Sequence, residues 1–214
     1  MRYLFCVVLM MGLVGLPGCC TALKERANRA DQLEKQVVLL KTQLADLDKE
    51  KKEEVSDLER AQRELERRLK DQLSQYKAKL EMTEKGLVVT FLAEVFFDSG
   101  KNDIKEESKP ILGEVAQVLN KDVPSSLVNI EGHTDTDPIK YSGWQSNWEL
   151  ASGRALSVLH YFVDECGLKP ERLSATSYGE FKPVADNDTK ESKQKNRRVE
   201  IIILPGELTK VKGS

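Results

Sequence analysis

The apolar residues in the first third of the chain follow the spacing of a long helix. Residues 21–85 include neither proline nor glycine, and apolar positions recur there at alternating steps of three and four. Polar Lys51 and Glu54 interrupt this stripe in the middle. Heptad spacing of this kind predicts a coiled-coil helical spacer over residues 23–85. The stripe consists of Ala30, Leu33, Val37, Leu40, Leu44 and Leu47, and then of Leu58, Ala61, Leu65, Leu69, Leu73, Tyr76 and Leu80.

A helix with a single apolar stripe gains stability by burying that stripe against another helix. We therefore expect the spacer to form a parallel homo-oligomer, and the spacing leaves open whether it is a dimer or a trimer. Three alternatives remain. The segment is a single charged helix stabilised by i,i+4 ion pairs, a disordered spacer, or a helix that binds the helix of another protein.

After Gly86 the pattern changes to short β-rich runs that alternate with two helical stripes. The order βαβαββ predicts an α/β (α+β) two-layer sandwich over residues 87–204, with helices on one face of a mixed sheet. Residues 205–214 form a C-terminal tail. Strands are predicted over 87–92, 127–130, 172–178 and 199–204, and helices over 105–119 and 147–166.

The N-terminus carries a short apolar segment after the positive Arg2. Its run over residues 3–16 is shorter than the roughly 20 apolar residues of a membrane-spanning helix, which favours a signal peptide over residues 1–18. The run ends in Leu-Pro-Gly-Cys, which resembles a lipoprotein signal. That resemblance implies a lipidated N-terminus over residues 19–22, with the lipid on Cys19 and with Cys20 as the competing site. An ordinary signal peptide or an uncleaved anchor is the alternative.

Composition excludes several classes of function. The 214-residue chain has a formal net charge of −2, so no basic excess suggests a nucleic-acid partner. Its four cysteines form no CxxC pair, and its two histidines belong to no recognisable ligand motif. We therefore expect no metal site and no cofactor.

Candidate chemistry lies where the second predicted strand ends in Gly-His-Thr-Asp and a loop leads to the next helix. Asp135 offers a carboxylate at the strand end. On the helix, Asn147, Leu150 and Arg154 lie at i, i+3 and i+7, on one face. If Asp135 and Arg154 converge, the carboxylate suits an ammonium group and the guanidinium suits a carboxylate. The pair would then bind a zwitterion.

Four motifs carry a family resemblance, in the order VFFDSGKNDI, GHTD, SNWELASGRA and KQKNRRVEI. Together they resemble the C-terminal domain shared by OmpA-type proteins, peptidoglycan-associated lipoproteins and flagellar stator B subunits. The resemblance implies the same fold and non-covalent binding of peptidoglycan. It implies that Asp135 takes the ammonium, and Arg154 the carboxylate, of the free amino acid end of diaminopimelate. Asp137 competes for the role of Asp135.

The resemblance also places other residues in the site. Thr134 lies within GHTD, Leu150 is expected to supply an apolar wall, and Asn147 either lines the pocket, caps the helix or does both. Phe97 and Asp98 fall on one rim of the groove, although Phe97 could equally belong to the core.

Two arginines precede the last predicted strand. Alternate residues of a strand face opposite ways, so one of Arg197 and Arg198 is expected to face the pocket, and we favour Arg197. Loop residues 139–146 are extra relative to many OmpA-like members and are expected to reshape the groove.

These features predict an outer-membrane lipoprotein that faces the periplasm and tethers the outer membrane to peptidoglycan. Outer-membrane sorting is implied because Cys20, not aspartate, follows Cys19. The alternative is a flagellar stator B-like or envelope-assembly protein with the same domain, although residues 3–16 include no acidic residue for a stator's proton-carrying helix. A hydrolase is less expected, because Ser152 of a His133–Asp135–Ser152 set lies in a helix and not on a strained elbow. We predict no enzymatic activity.

Overall fold

The computed structural model describes residues 17–75, 77–140 and 143–205, with side chains from residue 24 onward. Several predictions lie outside the described residues: the signal segment up to residue 16, the side chain of Cys19, Tyr76 and the tail from residue 206. Tyr141 and Ser142 of the extra loop also lie outside them. The chain divides into two compact units, residues 1–49 and 50–214.

Helix α1 (Pro17–Arg68) begins in the first unit, as the heptad stripe predicts. Up to Lys49 its large apolar side chains are exposed, and Leu40 reaches 62%. The same holds for Leu33, Val37, Leu44 and Leu47. No helix among the described residues is both long and apolar enough to cross a membrane.

The second unit is built on a five-stranded mixed sheet in the order β1-β2-β5-β3-β4. All neighbouring strands are antiparallel except β3 and β4, which are parallel. The strands are β1 (Ala78–Thr83), β2 (Gly86–Leu92), β3 (Val128–His133), β4 (Leu173–Gly179) and β5 (Arg198–Ile203). The helices are α2 (Lys70–Ser74), α3 (Ala93–Phe96), α4 (Lys109–Lys121), α5 (Asn147–Asp164) and α6 (Lys190–Asn196), with short 3-10 turns at Glu106–Ser108 and Pro170–Arg172.

The predicted two-layer α/β sandwich is confirmed. One face of the sheet is apolar because alternate residues of β2, β3 and β5 point the same way. The inward residues include Val89, Ile130 and Ile201, which are fully buried. They pack against the apolar stripes of α4 and α5, represented by Val115 and Val158.

The helical spacer is shorter than predicted, because the prediction extended it to residue 85. Residues 78–83 were expected to be helical, but they form β1, which pairs with β2 as an antiparallel hairpin. The turn between them is completed by Gly86, whose φ of 125° is open to glycine and costly for other residues. The sequence Ala-Lys-Leu-Glu-Met-Thr alternates apolar and polar residues, and this period of two decides the local structure. The observed sheet therefore has one strand more than the βαβαββ prediction.

The second half of the apolar stripe is buried within the same chain. Leu58, Ala61, Leu65 and Leu69 are at most 3% exposed and belong to the core under the sheet. Arg68 reinforces this contact by pairing with Glu114 of α4. This half of the stripe therefore packs within the chain. Only the exposed part of the stripe before Lys49 remains as a surface for the predicted homo-oligomer.

Candidate functional site

A cleft of about 1120 Å³ opens at the end of the sheet where β3 terminates. Its walls come from the residues after β3, the first half of α5, the loop at residues 97–101 and the start of α6. All eight residues proposed from the sequence for the ligand site line this cleft: Phe97, Asp98, Thr134, Asp135, Asn147, Leu150, Arg154 and Arg197.

Gly132 sets how closely α5 approaches the end of β3. A Cβ atom at this position would lie 2.1 Å from the backbone oxygen of Ala151, so only glycine fits. The pairing of β3 with β4 also shifts register between Gly132 and His133. Thr134 is held in place by its backbone amide, which donates a hydrogen bond to the Gly179 carbonyl at 2.8 Å. These contacts bring Asp135 beside α5.

Asp135 is buried at the cleft floor, and its carboxylate already has two partners. Oδ2 accepts a hydrogen bond from Nη1 of Arg197 at 2.5 Å. Oδ1 accepts from the Asp137 amide at 3.1 Å, the local backbone contact typical of an aspartate in a turn. A carboxylate offers about four lone-pair sites, so further donors still fit.

Arg154 is 4% exposed, and its guanidinium is held by backbone oxygens. Nε donates to the Lys101 carbonyl at 3.0 Å and Nη2 donates to the Asp98 carbonyl at 3.3 Å. The guanidinium carbon lies 5.3 Å from the centre of the Phe97 ring, a cation–π contact. Within the described residues, no carboxylate forms an ion pair with Arg154.

The charge on Arg154 is therefore poorly compensated. Burial lowers the pKa of Arg154 to about 10, with the positive charge of Arg197 acting in the same direction and Asp135 opposing both. A pKa of about 10 leaves the guanidinium charged at neutral pH. A buried cation without an anionic partner favours an anionic ligand.

Asn147 fastens the start of α5 to the loop that follows β3. Its Nδ2 donates to the carbonyls of Asp135 and Asp137 and to the carboxylate of Glu180. The alternative that Asn147 caps the helix is wrong. The N-cap is Ser146, whose hydroxyl accepts from the Glu149 amide at 3.3 Å.

The remaining predicted residues divide into apolar and polar walls. Leu150 is a buried apolar wall, and Phe97 belongs both to the cleft lining and to the hydrophobic core. Asp98 contributes its carbonyl to Arg154, while its carboxylate pairs with Lys101 at 3.3 Å. Thr134 is buried, and its hydroxyl has no hydrogen-bond partner within the described residues.

Arg197, just before β5, and Arg198, the first residue of β5, face different ways, as strand alternation predicts. Arg197 lines the cleft through its pair with Asp135. Arg198 is buried and donates to Glu200 at 2.5 Å. The choice of Arg197 for the pocket matches this geometry.

Sequence reasoning missed the α6 side of the cleft. The helix has seven polar or charged residues and no apolar stripe, so no periodicity reveals it. Its one visible signal is Thr189 followed by Ser192, which form a capping box. Lys193 of this helix pairs with Asp137 at 2.7 Å across the cleft mouth.

The extra loop is anchored by Trp144. Its indole Nε1 donates to the Gly100 carbonyl at 2.9 Å. The ring packs over Gly153 of α5 so closely that a Cβ there would lie 2.8 Å from it. Ile139 and Lys140 of the same loop line the cleft, so the loop shapes the groove as expected.

The residue types of a hydrolytic triad are not assembled. Within the described residues, neither ring nitrogen of His133 has a hydrogen-bond partner, so His133 contacts neither Asp135 nor Ser152 in this way. The cleft brings together a buried guanidinium, a buried carboxylate and an apolar wall.

The domain is a two-layer sandwich with a charged cleft at the end of its sheet. The sequence model of the OmpA family matches residues 96–197. The cell wall anchor of the type VI secretion system of Pseudomonas aeruginosa is 30% identical, with a TM-score of 0.61 over 66% of this chain and 96% of that one. Residues 96–197 thus form an OmpA family domain.

Two further relatives are motility proteins. Motility protein B of Bacillus subtilis is 40% identical over 149 residues, which cover 70% of this chain and 57% of that protein. The periplasmic domain of Helicobacter pylori MotB is 29% identical, with a TM-score of 0.57 over 60% of this chain and 82% of that one. This chain spans about half the length of the curated relatives it matches. These relatives favour the stator-like or envelope-assembly alternative over the outer-membrane lipoprotein that we expected first.

Proposed function

We propose that the domain binds peptidoglycan without a covalent step, by gripping the free amino acid end of diaminopimelate in a stem peptide. The observation that carries this proposal is the buried guanidinium of Arg154, which has no anionic partner within the described residues and opens into the cleft. A ligand carboxylate would supply that partner through charge-assisted hydrogen bonds.

The ammonium group of the same amino acid end fits Asp135. Its carboxylate retains acceptor sites beyond those used by Arg197 and the Asp137 amide. An ammonium group would share this carboxylate with Arg197, while Leu150 packs against the carbon chain that joins the zwitterionic end to the rest of the stem peptide. Hydrogen bonds to charged groups contribute about 1.5–3 kcal/mol each, so loss of the contacts to either charged group weakens binding by about tenfold or more.

Sedimentation with purified sacculi tests this proposal. Asp135→Ala and Arg154→Ala are expected to abolish co-sedimentation while circular dichroism stays native. The matched control is Arg63→Ala, because Arg63 is a solvent-exposed arginine on α1. Undiminished binding by both cleft variants would remove this site assignment.

The role of the whole protein follows from where it is attached. Similarity to motility protein B and to a cell wall anchor supports a stator-like or envelope-assembly role. The lipoprotein-like signal supports a second proposal, in which a lipid on Cys19 attaches the chain to the outer membrane and the domain tethers that membrane from the periplasmic side.

Radioactive palmitate combined with membrane fractionation separates these two roles. Label that is lost in Cys19→Ala and retained in Cys166→Ala, together with recovery in the outer membrane, supports the lipoprotein tether. Unlabelled protein in the inner membrane supports the stator-like role. Sacculus binding by the domain is expected in both cases, so it is tested independently.

A further inference from the structure

A cluster of charged side chains lies on the face of the sheet opposite the hydrophobic core. Asn129, Glu131 and His133 alternate with the buried apolar residues of β3 and therefore point away from the core. Glu131 lies directly across from Glu200 of β5. One ligand atom from each of Glu131, His133 and Glu200 can be chosen so that all three lie within 4.8 Å of one another.

His133 is the unexplained member of this cluster. The ring is only 2% exposed and stacks on Tyr178, with 5.3 Å between ring centres. Within the described residues, neither of its nitrogens has a hydrogen-bond partner. Nε2 lies 3.8 Å from Oε2 of Glu131, a distance too long for a hydrogen bond. Buried polar groups are nearly always satisfied, so this imidazole points to a missing partner.

The cluster combines two carboxylates with the guanidinium of Arg198, which lies directly across from His133. Two carboxylates directly opposite each other on neighbouring strands repel and destabilise the sheet. Arg198 neutralises Glu200 through Oε1, and Asn129 donates to Oε1 of Glu131 at 2.9 Å. The second oxygen of Glu131 faces the imidazole of His133, 3.8 Å from Nε2.

We propose that Glu131, His133 and Glu200 bind a divalent transition-metal ion of the zinc type. Imidazole nitrogen and carboxylate oxygen are ordinary zinc ligands, at about 2.0–2.2 Å from the ion. Ligand atoms in a tetrahedral site lie about 3.3 Å apart, so ligand atoms that are 4.8 Å apart must approach by about 1.5 Å. Water takes the fourth position and enters from the side of Glu200, the most exposed of the three side chains.

Neighbouring side chains already orient the ligands. The Asn129 amide holds Glu131, and the Arg198 guanidinium holds Glu200. Such outer contacts are typical of metal sites, where they fix the direction of each ligand.

The proposed ion would join β3 to β5 behind the peptidoglycan cleft. Asp135 follows His133 by two residues, and Arg197 directly precedes Arg198. An ion held by Glu131, His133 and Glu200 would therefore brace the two strands whose ends carry the Asp135–Arg197 pair. The site is distinct from the cleft, because none of its three ligands lines that cavity.

The ring nitrogens of histidine provide the test, because the chain has only two histidines. The full chain is stripped with a chelator, titrated with zinc chloride at neutral pH and followed by proton–nitrogen correlation spectra of the imidazoles. Zinc is expected to shift the signals of His133 and to leave those of the exposed His160 unmoved. This readout is specific even though Cys19 and Cys20 also offer thiols to zinc.

Variants decide whether the carboxylates take part. Glu131→Gln and Glu200→Gln, which keep the shape of each side chain, are each expected to weaken the His133 response at least tenfold. Asp164→Asn, at an exposed acid beside His160, is the control and is expected to change nothing. The proposal is overturned if zinc leaves the His133 signals of the wild-type chain unmoved. It is equally overturned if only His160 responds, or if the response survives both glutamine substitutions.

Discussion

Arg197 Nη1 lies 2.5 Å from Asp135 Oδ2, so the carboxylate proposed to bind a ligand ammonium is already paired within the protein. Arg197 is about one-third exposed, whereas Asp135 is buried. The pair keeps the buried carboxylate neutralised while the cleft is empty. Arg197 can stay beside this carboxylate when an ammonium group binds, because a carboxylate offers further acceptor sites.

This arrangement predicts unequal effects for the two cleft arginines. Arg154→Gln is expected to weaken sacculus binding more than tenfold, because the ligand carboxylate loses its charged partner. Arg197→Gln is expected to weaken it less than threefold, because Asp135 remains and Arg154 is relieved of a neighbouring positive charge. Binding isotherms on sacculi measure both values. Equal losses in the two variants would show that Arg197 contacts the ligand as directly as Arg154 does.

The close approach of β3 to α5 predicts that only glycine is tolerated at position 132. Gly132→Ala is expected to lower the free energy of unfolding by about 2–4 kcal/mol, because its Cβ would overlap the Ala151 carbonyl. Gly113→Ala on α4 is the matched control, since a Cβ there has nothing within 4 Å. The control is expected to be neutral or to stabilise by up to about 1 kcal/mol. Urea unfolding measures both, and equal stability of the two variants would contradict the packing described for Gly132.

Two neighbouring residues at the start of α5 have different roles: Ser146 caps the helix, and Asn147 holds the loop that carries Asp135. Ser146→Ala is expected to cost about 1 kcal/mol of stability, as for other caps, and to leave sacculus binding nearly unchanged. Asn147→Ala removes the donor that ties α5 to the carbonyls of Asp135 and Asp137, so it is expected to weaken binding as well as stability. Thermal unfolding and co-sedimentation are measured on the same preparations. Native binding by Asn147→Ala would show that the loop holds its shape without this side chain.

Substitutions in the apolar stripe of α1 are expected to have different effects in its buried part and in its exposed part. Leu65→Ala is expected to destabilise the C-terminal unit by about 2–5 kcal/mol, because Leu65 is fully buried in its core. Leu40→Asp is expected to leave that unit stable and to abolish self-association, because the exposed stripe before Lys49 is the surface left for a partner helix.

Analytical ultracentrifugation of the full chain tests the self-association. The control is Leu156→Asp, which places the same charge at an exposed leucine of α5. A wild-type chain that sediments as a monomer at all concentrations would contradict the predicted coiled coil.

The spacing of apolar residues correctly predicted most of the elements of the fold. Four strands and the two long helices of the C-terminal unit follow from apolar spacing. The errors arise where two patterns compete or where no pattern exists. In residues 78–83, Leu80 continues the helical stripe, yet its neighbours alternate as in a strand, and pairing with β2 settles the structure. Helix α6 has no apolar face and is stabilised by its cap, so spacing does not reveal it.

The sequence predicted which residues line the candidate site but did not predict which of them contact one another. Motif positions and helical spacing bring Asp135, Asn147 and Arg154 to one cleft. The ion pair between Asp135 and Arg197 joins residues 62 positions apart, and only the sheet order brings them together. The Glu131–His133–Glu200 cluster arises in the same way. Glu131 and His133 share a strand face, as their spacing of two implies, but Glu200 reaches them through the pairing of β3 with β5.

Binding of stem peptides that differ in a single group tests the central claim most directly. Diaminopimelate peptides with a free carboxylate and their amidated counterparts are titrated calorimetrically into the wild-type chain. The amidated peptide lacks the negative charge that Arg154 is proposed to bind, and the rest of the ligand is unchanged. The account predicts that amidation weakens binding by about 10–100-fold, as expected for a lost charge-assisted hydrogen bond. It also predicts that Arg154→Gln removes this preference, and equal affinity of the wild-type chain for both peptides would contradict it.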